Sequence, residues 1–95
     1  MRVIWTGPAD RDVDAIWEHI AEDSLDAADT VCERLRAVSA ILRDHPQIGR
    51  RGQWSGTREL VISDLPYFLV YRISVSGVEI LRVIHGAQHW PPTHK

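Results

Sequence analysis

His85, Arg58, Arg72 and Arg82 are the side chains whose type and spacing offer chemistry, and all four lie in the second half of the sequence. An imidazole titrates near neutral pH, so His85, between an apolar alternating run and Gly86, has the type of a general base. Its plainer reading is a strand-end histidine that hydrogen-bonds a neighbouring loop. Arg58, Arg72 and Arg82 fall on three successive stretches of strand character. If those stretches pair in order, two or three guanidiniums could share a face and hold a phosphate or a carboxylate, and register decides which. The competing reading is a solvated arginine ladder offset by Glu59 and Glu79. Arg50 and Arg51 add two cations on a Gly-rich loop. Trp54 in that loop and Trp90 in a Pro-rich tail are hard to place in a core, and an exposed tryptophan is a natural anchor for a partner. Other chemistries lack their parts. Gly49-Arg50-Arg51-Gly52 has no following Lys-Ser/Thr to cradle a phosphate. His85, His89 and His94 have no Cys or carboxylate cluster beside them, so no metal site is expected.

Composition places these residues in a small globular chain. Ninety-five residues with 44% apolar and 25% charged side chains are expected to form one domain over 1–95. A chain this short buries only about two thirds of its unfolded surface, so a partner that completes the core would add stability. The single cysteine, Cys32, excludes an internal disulfide framework and suits a reducing compartment. No N-terminal run resembles a signal peptide and no apolar stretch reaches the ~18 residues of a membrane span, so the expectation is a cytoplasmic protein with no membrane partner. The net charge of −2 is unevenly spread. Residues 1–48 carry five Arg against ten Asp/Glu, and residues 49–95 carry six cations against three acids, a split of −5 and +3. The halves then offer opposite surfaces to partners, provided each forms its own layer. All the cations but Lys95 are arginine, which suits bidentate contact with carboxylate or phosphate, or merely reflects genome composition.

The elements that must position these groups follow from periodicity. Residues 2–6 are β-branched and aromatic and read as a strand. Pro8 suits a helix's first turn, Asp10, Asp12 and Asp14 suit its dipole, and Val13, Ile16, Trp17 and Ile20 form one buried stripe, so a helix is expected over 8–22 with Trp17 in the core. Trp5 is expected in the core as well. Leu25, Ala28, Val31, Cys32, Leu35, Val38, Ile41 and Leu42 continue a stripe over a second helix, 25–45, which His45-Pro46 ends. The short corner between them makes an antiparallel hairpin. Residues 46–56 form a basic loop, 57–63, 67–74 and 78–85 read as strands, and Ser76-Gly77 marks a tight turn. Tyr67 and Tyr71 point the same way as Leu69, into the core. The class is α+β in the order β-α-α-β-β-β, a helical hairpin packed on a mostly antiparallel sheet.

That order has a counterpart. Trp5 and Ala9 opening the first helix, Pro46 to Gly49-Arg50, Thr57-Arg58-Glu59-Leu60, Pro66-Tyr67 to Val70-Tyr71-Arg72, and Val78-Glu79-Ile80-Leu81-Arg82-Val83-Ile84-His85-Gly86 form an ordered set. The set resembles the RelE/ParE toxin superfamily, from about Trp5 to Trp90. The resemblance implies the toxin of a type II toxin–antitoxin pair, bound as a hetero-oligomer by a small antitoxin of the ParD-like ribbon-helix-helix kind. RelE-like members cut mRNA in the ribosome, whereas ParE-like members inhibit DNA gyrase and lack that catalytic set. Several ribonuclease members have an Arg where this chain has Phe68, and a terminal Tyr or His-Tyr where His85 is followed by Gly86. The chain therefore sits nearer the ParE branch, with gyrase as the implied target, no enzymatic activity and no cofactor. The alternative is a ribosome-dependent mRNA endoribonuclease in which His85, Arg58 and Arg82 do the chemistry. A third possibility is an inactive relative that persists as a co-repressor or dimer partner. For the antitoxin, the residues expected to matter are Arg58, Arg72 and Arg82, then Arg50 and Arg51, with Trp54 and Trp90 as anchors.

Overall fold

The computed structural model describes residues 1–88 together with Trp90 and Pro91. Strand β1 (Val3–Trp5) leads through Thr6 into helix α1 (Gly7–Ala21). The Thr6 hydroxyl accepts from the Ala9 amide at 3.4 Å and donates to the Ile80 carbonyl at 2.7 Å, so one side chain caps the helix and ties it to the sheet. Helix α2 (Leu25–Ser39) starts on Ser24, whose hydroxyl accepts from the Ala27 amide at 3.1 Å. The expected helix over 25–45 stops early. Ser39 donates to the Arg36 carbonyl at 2.7 Å and accepts from Trp5 Nε1 at 3.3 Å, and the chain tightens into a 3₁₀ turn, Ala40–Arg43. Such back-bonding from serine distorts a helix end. The tighter turn buries Leu42 fully and leaves Ile41 exposed.

The strands β2 (Arg50–Arg51), β3 (Arg58–Val61), β4 (Tyr67–Ser74) and β5 (Gly77–His85) complete a five-stranded sheet in the order β1-β5-β4-β3-β2. Only β1 and β5 run parallel, so the sheet is mostly antiparallel, as the sequence implies. Strand β2 is additional: its two residues, opposite Glu59 and Arg58, are too few to show a period. Between β4 and β5 the register slips, with Val70 opposite Arg82 but Tyr71 opposite Ile80. Leu81 is the extra residue of this bulge, and it lets Val78, Ile80 and Val83 all face the helices.

The helical hairpin covers one face. Val13 and Leu35 pack with Ile62, Tyr67, Leu69 and Val83, and Ala9 and Leu42 pack with Tyr71, Val78 and Ile80. Trp5 packs against both groups and lies under the Arg36 guanidinium at 4.3 Å. Trp17 departs from the expected core position. It is 36% exposed, and its Nε1 donates to Asp29 at 2.8 Å, so the indole lies across the outside of the hairpin. Its stripe-mates Val13 and Ile16 reach the sheet, and the indole N–H finds its partner outside.

Tyr71 fastens the loop after α2. Its buried hydroxyl accepts from the Gly49 amide at 2.9 Å and donates to the Pro46 carbonyl at 2.8 Å. A Cβ on Gly49 would come within 2.6 Å of that oxygen, so glycine is required there. Tyr71→Phe should cost about 1–3 kcal/mol by orphaning buried loop groups. Burial also pushes the Tyr71 hydroxyl above its usual range. A raised pKa means the unfolded chain ionises first, near pH 10, so native stability is intact below about pH 10 and falls as pH rises through the folded value. Urea unfolding at pH 7 and pH 10.5 should show a smaller alkaline loss for Tyr71→Phe than for the parent, with Tyr67, also shifted upward by burial, supplying the remainder. Identical midpoints for the two chains at pH 7 would remove Tyr71 from this role.

Candidate partner-binding site on the second face of the sheet

The face of the sheet turned away from the helices carries Glu59 on β3, Phe68, Val70 and Arg72 on β4, and Arg82 and Ile84 on β5, as the strand registers require. It is partly roofed by the β2–β3 loop and by Trp90. Glu59, only 2% exposed, is the hub: its carboxylate accepts from Arg50 Nε at 3.0 Å, the Gln53 amide at 3.1 Å and Trp90 Nε1 at 3.3 Å. Trp54 and Trp90 meet above it with ring centroids 4.5 Å apart. Between this roof and the start of α1 runs a trough of about 970 Å³, lined mostly by apolar surface from Pro8, Trp54, Thr57, Leu81 and the stems of Arg72 and Arg82.

The arginines on this face are matched within the chain. Arg72 pairs with Glu79 across the strands at 2.5 Å. Arg82 makes a two-pronged contact with Asp12 of α1, at 2.7 and 3.1 Å, and this hydrogen bond reinforces its protonated form. Asp12 also accepts from the Val83 amide at 2.8 Å, on the edge of β5 beyond the end of β1. Arg72 and Arg82 thus share a face, with Arg50 beside them through Glu59. Arg58 does not. It stands opposite Tyr71 on the helix side and donates to the carbonyls of Gln47 and Gly49 at 3.2 and 2.9 Å. Arg51, its cross-strand neighbour, makes no ion pair or hydrogen bond among the described residues. Glu59 and Asp12 are the organising residues that periodicity did not single out. In the sequence Glu59 reads only as an offset to the arginine ladder and Asp12 only as a helix-dipole charge, and their roles emerge once the strands are paired.

His85 lies at the opposite end of the sheet. Its ring meets Tyr67 edge-on at 5.2 Å, and its Nδ1 accepts from the Ala87 amide at 3.0 Å. It borders a recess of about 240 Å³ with Asp12, His19, Tyr67, Arg82 and Gln88. The β4 partners of His85 and Arg58 are Tyr67 and Tyr71, four residues and roughly 13 Å apart along the strand. His85, Arg58 and Arg82 are therefore not brought to one point. Cys32 donates weakly to the Val13 carbonyl at 3.7 Å, and burial pushes its thiol up, away from the reactive thiolate. Among the described residues no three His, Cys, Asp or Glu side chains are grouped to hold a metal ion, and no helix is long and apolar enough to cross a membrane. His89 and His94 lie outside the described residues. The second face thus offers an apolar trough flanked by Arg72, Arg82 and Trp54.

The family model for the ParE toxin of the type II toxin–antitoxin system parDE matches residues 3–90. A Sinorhizobium fredii protein named toxin Y4kP is 44% identical over 90 residues, covering 95% of this chain and 93% of that one. Toxin RelE2 of Caulobacter vibrioides is 33% identical over 87 residues, covering 92% and 97%. A solved chain from the chromosomal ParDE system of P. aeruginosa superposes with a TM-score of 0.81, covering 90% of this chain and 95% of that one, and at 24% identity it speaks for the fold.

Proposed function

The chain belongs to the ParE toxin family of type II toxin–antitoxin systems, and from that premise we propose that it acts in the cytoplasm as a non-enzymatic inhibitor of DNA gyrase. A toxin of such a system has an antitoxin as its partner, and here that partner is proposed to be a ParD-like ribbon-helix-helix protein. The observation that favours inhibition over catalysis is the separation of His85 from Arg58, with Arg82 already committed to Asp12. General acid–base work needs its groups within hydrogen-bond reach of one reacting atom. An antitoxin segment is proposed to lie in the trough beside α1, apolar side chains inward, carboxylates toward Arg50, Arg72 and Arg82, and Trp54 and Trp90 as anchors. The name of the Caulobacter relative supports a second reading, ribosome-dependent mRNA cleavage with His85, Arg58 and Arg82.

Inducing the toxin while following plasmid topology and transcript ends in the same culture separates the two. The expected result is growth arrest with loss of negative supercoiling and intact transcripts, reversed by co-expressing the antitoxin. Transcript cleavage at normal supercoiling would establish the second reading instead.

A further inference from the structure

The two residue pairs that make up the β2–β3 ladder are matched very differently. On one face Arg50 stands opposite Glu59 and forms an ion pair at 2.9 Å. On the other, Arg51 stands directly opposite Arg58. Like charges at opposed positions destabilise a strand pair, and this strand is only two residues long. Among the described residues no carboxylate lies between the two cations. Arg58 uses one nitrogen, Nη1, for its two carbonyl contacts, and Arg51 has no partner among the described residues. The only acid on the ladder, Glu59, points to the other face. Arg51 and Arg58 both line a cavity of about 660 Å³ that has no acidic side chain in its lining among the described residues.

The same cavity is bounded by Trp54, held on a rigid turn. The Gly52 amide donates to the Thr57 carbonyl at 2.8 Å, and the Thr57 amide and hydroxyl both donate to the Trp54 carbonyl, at 3.2 and 2.6 Å. A Cβ on Gly52 would approach Thr57 Oγ1 to 2.2 Å, and Gly56 has φ of +80°. The turn therefore depends on both glycines. Although Trp90 tilts against it, Trp54 remains 40% exposed. Arginine side chains fit phosphate oxygens, and an indole lining the same cavity fits a flat base.

We propose that Arg51, Arg58 and Trp54 form a binding site for a single strand of nucleic acid, with phosphodiester groups between the guanidiniums and an unstacked base on the indole. The proposal does not rest on gyrase inhibition, whose failure leaves the binding result below unaffected, although Arg58 also figures in the mRNA-cleavage reading. The test is fluorescence anisotropy of a fluorescein-labelled dT ten-mer titrated with the purified chain at 50 and 200 mM salt. Two neutralised phosphates on a single strand give a log–log slope of about −1.4, so affinity should fall about sevenfold over that range. Arg51→Ala should halve the slope. Trp54→Ala should weaken binding at least about fivefold, and Trp54→Phe, which keeps a π face, should recover most of the loss. Arg11→Ala, the same charge change on α1, should leave both quantities unchanged. Absence of saturable binding would overturn the proposal, as would equal losses from Arg51→Ala and Arg11→Ala. Polyglutamate competing as well as unlabelled dT at equal monomer concentration would also overturn it, because the base would then contribute nothing. So would binding of inorganic phosphate alone, an isolated anion site.

Discussion

Asp12→Ala should destabilise the toxin by about 3 kcal/mol, a large share of the ~5–15 kcal/mol that holds a small domain together. Asp12 does three things at once: it neutralises Arg82 through two hydrogen bonds, accepts the Val83 amide, and in doing so docks α1 on the edge of β5. Removing it leaves a partly buried guanidinium without its counter-charge and a strand-edge N–H without its acceptor. Breaking a fully buried pair costs about 3–5 kcal/mol; the residual exposure of these side chains, 18% and 30%, lowers that figure, and the lost amide contact partly restores it. Asp12→Asn keeps an oxygen for Val83 but loses the charge, so its cost should be about half. Equilibrium urea unfolding of the three chains measures this order. A loss below about 1 kcal/mol for Asp12→Ala would mean that α1 is held by its apolar stripe alone.

Trp54→Ala should weaken the toxin–antitoxin complex about thirtyfold, whereas Trp17→Ala should change it less than threefold. The two indoles are almost equally exposed, 40% and 36%, so a difference between them reports location and not mere loss of apolar surface. Trp54 borders the trough, beside Arg72 and Arg82; Trp17 lies on the outside of the helical hairpin. A tryptophan anchor at an interface centre contributes about 2 kcal/mol or more, and every 1.4 kcal/mol is tenfold in affinity. Charge reversal is a poorer probe on this surface, because Arg82→Glu would face Asp12 and Arg72→Glu would face Glu79, disturbing the toxin itself. Dissociation constants from calorimetry, with both variants shown to be folded, give the comparison. Equal effects from the two tryptophans would move the antitoxin off the trough.

The helical hairpin was legible in the sequence because an amphipathic stripe is a strong, repetitive signal, and the alternating runs of β4 and β5 were legible for the same reason. What periodicity could not show was pairing. Leu81 as a bulge residue reverses the facing of everything after it, and only the partner strand reveals this. The bulge puts Arg82 with Arg72, while the β3 register sends Arg58 to the other side. The charge split was visible, but its use was not. Part of it is spent within the molecule, joining acidic α1 to basic β5 through Asp12 and Arg82, whereas the Arg34–Asp64 pair between α2 and the β3–β4 turn runs against the split. Trp54 and Trp90 were rightly hard to place in the core, and their meeting over Glu59 depends on a two-residue strand that no pattern announces.

Amide hydrogen exchange of the toxin, free and saturated with its antitoxin, addresses the location of the partner most directly. Occupation of the trough predicts added protection in residues 52–57 and 80–82 and at the start of α1, with the Trp17 side of the hairpin unchanged. Protection confined to the groove between α2 and the outer edge of β3, around Ile41 and Val61, would contradict this account of the site.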